Sequence, residues 1–219
     1  SPVTLHTLAT LMISQSDNTA TDHLLFLLGR ERVEEMVTKM GNQHAERNVP
    51  FLSTLELFKL KGAQQKDLRK RYISGDAAAR RAILTKEVAA IDKKDVDLSG
   101  FTVKPVAIES LEWYASPADL ARMMRWLLDH TKTPETALGR GVLSVNLGLD
   151  VHRDKFGFVG FKGGSETGVI NLTHVFETKS GDRYVTAATW NNPKAPVDDA
   201  AFVAIVQGVI EILMKRVEK

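Results

Sequence analysis

Residues 158–191, FVGFKGGSETGVINLTHVFETKSGDRYVTAATWN, decide the fold. Three runs in and just before this stretch, 156–161, 169–176 and 184–190, are rich in β-branched and aromatic side chains and are bounded by Gly, Ser and Asp, which predicts three strands. Lys179-Ser180-Gly181-Asp182 joins the last two as an antiparallel hairpin turn. Downstream, 199–217 has helical periodicity, and Phe202, Ile205, Val206, Val209, Ile210 and Leu213 are expected to face the sheet.

Upstream the texture is helical. Leu5, Leu8, Leu11 and Met12 recur at helical spacing behind a Thr4 cap, and Asp17 or Asn18 can cap a second helix that carries Leu24, Leu25, Leu27 and Leu28 and stops at Gly29. A third runs from about 31 to 40 with Gly41 as its stop, and 42–52 reads as a loop. Ser116-Pro117-Ala118-Asp119 starts a later helix with cap, first-turn proline and acidic residue in order. The fold class is therefore α+β: a helical part, about 1–147, then a small antiparallel sheet covered by a C-terminal helix, about 148–219, forming one domain. Between Lys59 and Lys94 stand 11 Lys or Arg against 4 Asp or Glu. This bias is expected to be a solvated helical face.

Composition narrows the function. The chain has 219 residues, 43% hydrophobic, with a net charge of +2 and no cysteine. Thiolate metal sites, cysteine nucleophiles and disulfides are excluded, and the six histidines are scattered, so neither metal nor cofactor is expected. The small charge argues against a nucleic-acid partner, and no apolar run is long enough to span a bilayer. Residues 8–25 also scan as helix, turn, helix, but no Arg or Lys precedes Arg30 to meet a phosphate backbone.

Two short motifs carry chemistry: Ser16-Asp17-Asn18 between two helices, and Lys162-Gly163-Gly164-Ser165 at the end of an apolar strand. Together, in this order of elements, they resemble the penicillin-recognising serine hydrolases, the class A β-lactamases and related transpeptidases, whose motifs are S-x-x-K, S-D-N and K-T-G. Residues 1–25 look like that family's central helix pair, 116–128 like its later helix, and 158–191 like its last three strands. The resemblance implies acyl transfer through a serine, on a β-lactam, a peptidoglycan peptide or a small ester, without a cofactor. It assigns Ser16 as proton shuttle and Lys162 as the electropositive neighbour that biases that proton. Asn18 would present its amide to substrate, and the Ser165 N–H would be an oxyanion donor with its hydroxyl on a substrate carboxylate. Gly163 and Gly164 would let the strand approach the ligand, while Asp17 holds the loop.

The departures are as informative. None of the eleven serines has a lysine three positions on, so the S-x-x-K nucleophile is expected upstream of Ser1, together with strands that would complete the sheet. The domain is expected to be N-terminally incomplete and to associate with that segment, or through an exposed sheet edge. Residues 47–56 hold no Glu and Asn at the ExxxN spacing that the family uses for deacylation, and Glu56 is offset from it. A basic insertion near 52–112 follows instead. Gly163 replaces the middle threonine of K-T-G, and 169–176 contains no arginine to hold a carboxylate. Trp113 and Tyr114 are candidates for a pocket wall, with packing the favoured role. The resemblance implies export to the bacterial periplasm or medium.

Overall fold

The computed structural model describes residues 2–217. Thr4 accepts from Thr7 N at the start of α1 (Leu5–Ser14), and Asp17 accepts from Ala20 N at the start of α2 (Asn18–Leu28). Each short polar side chain satisfies one of the amide donors that a helix start leaves bare. Gly29, at φ 89°, ends α2, and α3 (Arg30–Lys39) follows at once.

Residues 54–88 fold as α4 (Thr54–Lys61), α5 (Lys66–Ser74), α6 (Ala77–Ile83) and a π-helical turn, Leu84–Val88. They bury a cluster of their own, with Leu57, Leu60, Leu68, Tyr72, Ile83, Leu84 and Val88 packed against Leu52 and Leu111. The expectation of a solvated basic face fails for two of its cations. Lys59 and Lys61 are buried at 7% and 2% exposure, because α4 is covered on opposite sides, by the π-helical turn at Lys59 and by Glu112 and Glu166 at Lys61. Lys59 Nζ donates to Val88 O at 3.1 Å.

The later helix α7 (Pro117–His130) opens with a reciprocal capping box between Ser116 and Asp119. Asp119 is fully buried. Burial alone would raise its carboxyl, but hydrogen bonds from Gln43 N, Ser116 N and Oγ, and Arg122 hold it well below the usual carboxylate range. A short helix that periodicity does not announce, α8 (Ala137–Leu143), leads toward the sheet.

The sheet runs in the order β1-β2-β3, all antiparallel: β1 (Phe156–Glu166), β2 (Val169–Thr178) and β3 (Arg183–Asn191). β1 does not stop at the motif. It continues through Lys162-Gly163-Gly164-Ser165 to Glu166, and the reversal is the two residues Thr167-Gly168. Gly168 sits at φ 87°, and a Cβ there would lie 2.6 Å from Asn192 O, so only glycine fits this tip. On one face Phe161, Ile170, Leu172 and Phe176 pack against Phe202, Val206, Ile210 and Leu213 of α9 (Asp199–Val217). Each such buried side chain contributes about 1.5–3 kcal/mol. Ile205 and Val209, also expected on the sheet, point outward at 65% and 47% exposure. The other face sets Val175 against Met124 and Leu128 of α7.

Candidate active site

Antiparallel partners share a face of a sheet, so Lys162, opposite Thr173, lies on the Val175 side, toward the helices. Its ammonium crosses to the loop between α1 and α2 and donates to Ser16 Oγ at 2.7 Å. Two motifs 146 residues apart thus meet through a direct hydrogen bond. Lys162 Nζ also donates to Gly163 O. Burial pushes the Lys162 amine below its ordinary range, and no carboxylate lies within ion-pair distance of it among the described residues.

Ser16 is held in an unusual backbone state. Its φ of 52° is in the left-handed region that non-glycine residues seldom occupy, and Gln15 N and Asp17 N both donate to Leu11 O around it. Asp17 keeps its carboxylate on Ala20 N, as expected for a capping role. Asn18, in the first turn of α2, is exposed, and its side chain has no hydrogen bond among the described residues. Ser165 is exposed as well, with its hydroxyl equally unengaged.

Gly163 and Gly164 are adjacent in β1 but differ in surroundings. A Cβ at Gly164 would meet open space. At Gly163 it would lie 2.8 Å from the Phe161 ring, 3.1 Å from Asn171 O and 3.2 Å from Leu172 Cδ2. The missing threonine hydroxyl therefore has a packing reason: the Phe161 ring occupies the space that its Cβ would need. Behind the glycines, Asn171 Nδ2 donates to Ala188 O and Thr189 Oγ1, and Thr173 Oγ1 donates to Asn171 Oδ1. No arginine stands on β2.

The segment expected to lack a deacylating pair is structural. Arg30 grips both oxygens of Glu56 at 2.7 and 3.0 Å, and Glu56 also accepts from Ser53 N in the α4 capping box. Trp113 donates to Leu52 O at 3.0 Å, and the Arg47 guanidinium lies 3.6 Å over the Tyr114 ring, so both aromatics pack that loop onto residues 111–115.

Sequence reading missed three groups around the motifs. Asn146 donates to Ser14 O at 2.8 Å and accepts from Gly148 N, tying the end of α1 to the approach to β1. His174, fully buried beneath Phe161, bonds Leu147 O through Nε2 at 2.8 Å. Lys61 lies against Glu112 and Glu166, the residue after Ser165. Lone residues far apart in sequence carry no spacing signal, so nothing marked the last group. No cluster of three His, Asp or Glu side chains able to hold a metal ion occurs among the described residues, and no described helix is long and apolar enough to cross a membrane.

Comparison with known proteins places this geometry. No curated protein matches the chain. Among solved structures, a β-lactamase from Sphaerobacter thermophilus is similar over 98% of this chain and 63% of its own length, with a TM-score of 0.56 and 19% identity. A halotolerant bacterial β-lactamase is similar over 100% and 68%, at 0.53 and 14%. A β-lactamase from Streptosporangium roseum is similar over 97% and 66%, at 0.51 and 17%. The chain thus spans less than two thirds of the first of these relatives, and at such identities the likeness shows the fold. Residues 1–213 match the profile of the β-lactamase enzyme family, and the chain belongs to that family.

Proposed function

We propose that the protein works as a serine hydrolase of the β-lactamase and penicillin-binding type, through an acyl-serine intermediate. The observation that carries the reading is the 2.7 Å hydrogen bond from Lys162 Nζ to Ser16 Oγ. A hydroxyl can accept and donate in one step, and a lysine with a lowered proton affinity can pass that proton on, so the pair suits delivery of a proton to a leaving nitrogen or oxygen. Asn18 offers its side-chain amide to the substrate, and the Ser165 N–H stabilises the oxyanion. Gly163, Gly164 and the Ser165 hydroxyl border the substrate. The acylating serine comes from residues outside these 219.

The substrate is a β-lactam, a peptidoglycan peptide or a small ester. The commitment of the Glu56 carboxylate to Arg30 and Ser53 supports slow turnover, a different acyl substrate or a penicillin-binding role over fast β-lactam hydrolysis. The exposed apolar side chains Leu5, Phe26, Leu27 and Ile212 support the reading that the rest of the domain, or a partner, covers these surfaces. Family membership favours a periplasmic or secreted location.

The test is covalent labelling of the full-length protein with a fluorescent penicillin, read by intact and peptide mass. Label is expected on a serine outside 1–219, and Lys162→Ala is expected to slow it by about 100-fold or more. Labelling at Ser16, or an unchanged rate in Lys162→Ala, refutes the assignment. No labelling of a well-folded protein supports a scaffold that has lost its chemistry.

A further inference from the structure

Lys61 is the most completely enclosed cation among the described residues: its side chain has 0% exposure, and those of its two partners, Glu112 and Glu166, have 15% and 12%. Its Nζ donates to both oxygens of Glu166 at 2.7 Å and to Glu112 Oε1. The three groups come from three segments: α4, the stretch before α7, and the last residue of β1. One ammonium facing two carboxylates leaves an excess negative charge in a place largely shielded from water, and charge of that kind is reduced by holding a proton.

We infer that Lys61, Glu112 and Glu166 form a clamp that positions the Gly163–Ser165 strand against residues 54–112, and that it stays closed only while the Glu112 carboxyl keeps its proton. The proposal deepens the reading of β1 as the substrate-facing strand and rests on it for its functional meaning. Glu166 directly follows Ser165, and it shares a face of the strand with Lys162, since it pairs with Val169 as Lys162 does with Thr173. Displacing Glu166 therefore moves the proposed oxyanion donor. These are positioning residues; among the described residues none of the three hydrogen-bonds to Ser16 or Lys162.

The surroundings agree with a retained proton. Burial first, and Glu166 beside it, push the Glu112 carboxyl up to about 8 against the pull of Lys61. The charged and titratable groups facing Glu112 are Lys61 of α4, Glu166 of β1 and, farther off, the Tyr114 hydroxyl. The Phe101 ring lies 5.4 Å from Lys61 Nζ, and Arg69 of α5 donates to the carbonyls of Leu60, Lys61 and Gly62 rather than to either carboxylate. Among the described residues no further cation pairs with the second carboxylate.

The experiment is amide hydrogen exchange of residues 162–167 in the full-length protein at pH 7 and pH 9, corrected for the intrinsic rate. Loss of a proton held to about pH 8 should raise opening about tenfold over that interval. Glu112→Gln, which keeps the shape of the protonated acid, should be as protected as the unmodified protein at pH 7 and flat to pH 9. Glu166→Gln should be flat for the same reason, since either change leaves one carboxylate for one ammonium. A flat response in the unmodified protein, or an equal rise in the two glutamine variants, overturns the clamp. The readout needs no turnover, so failure of the acyl-transfer reading leaves it intact.

Discussion

His174 makes the stability of this protein depend on acid in a calculable way. The ring is fully buried, with Phe161 4.4 Å and Phe176 5.9 Å away between centroids. Its Nε2 bonds Leu147 O, which fixes the proton there and leaves Nδ1 buried with no partner. A second proton would put a charge and an unmatched donor into an apolar layer. Burial therefore pushes the imidazole from its ordinary 6.5 to about 4, against the smaller pull of the Leu147 carbonyl. The unfolded chain binds a proton in that interval and the folded chain does not, so stability is full above about pH 6.5 and falls as pH drops toward 4. The full loss is about 3 kcal/mol, of which about 2 kcal/mol falls between pH 7 and pH 5. For a chain of this size that is a decrease of about 4–8 °C in Tm. Urea unfolding at pH 7, 6 and 5 should show this loss as the difference between the unmodified protein and a His174→Phe variant. His174→Phe fills the volume but leaves Leu147 O unpaired, so it should be about 1–3 kcal/mol weaker at pH 7 and should lack this acid limb. Glu112 acts in the opposite sense: raised to about 8, it adds stability as pH falls from 8 toward 4.5. That contribution is common to both proteins and cancels in their difference. Equal pH dependence in the two would refute the assignment to His174.

Two further expectations follow from close contacts. Gly163→Thr, which would recreate the family's threonine, should lower stability by about 1–3 kcal/mol in urea unfolding, because its Cβ meets Phe161 and Asn171 O; unchanged stability would show that the ring yields freely. Glu56→Ala removes one half of the α4 capping box and strands the guanidinium of Arg30, whose side chain is 15% exposed, so a loss of about 2–3 kcal/mol is expected. Its rate of labelling by penicillin should not change, and a large change would return Glu56 to the chemistry.

The sequence was legible where one residue type settles a local question. Thr4, Asp17 and Ser116 cap helices because a short side-chain oxygen at a helix start has few better uses. The three strands and the final helix follow from periodicity. The strand end at Phe161 was misplaced because two glycines read as a turn, yet β1 pairs with β2 through its backbone, which glycines supply as well as any residue. Ile205 and Val209 were assigned to the sheet because α9 is apolar around most of its circumference, and periodicity then cannot choose a face. Lys59 and Lys61 violate the rule that charge faces water, and the partners that make this tolerable for Lys61 lie 51 and 105 residues away. In the site, the family resemblance was what set Ser16 beside Lys162, and the 2.7 Å contact agrees with it. The packing that excludes a side chain at Gly163 was not legible in the sequence.

The Asn146 bridge bears on why an exposed hydrogen bond can hold a site together. In water, the Lys162–Ser16 contact is worth only about 1 kcal/mol net, too little to bring two distant stretches of chain together. Asn146 fixes the turn of the backbone just before Ser16 to the residues leading into β1, so the hydroxyl and the ammonium are already neighbours before they bond. Their encounter becomes a matter of high effective concentration rather than of affinity. The bond between them is then free to break and re-form while a proton moves, without the surrounding structure coming apart.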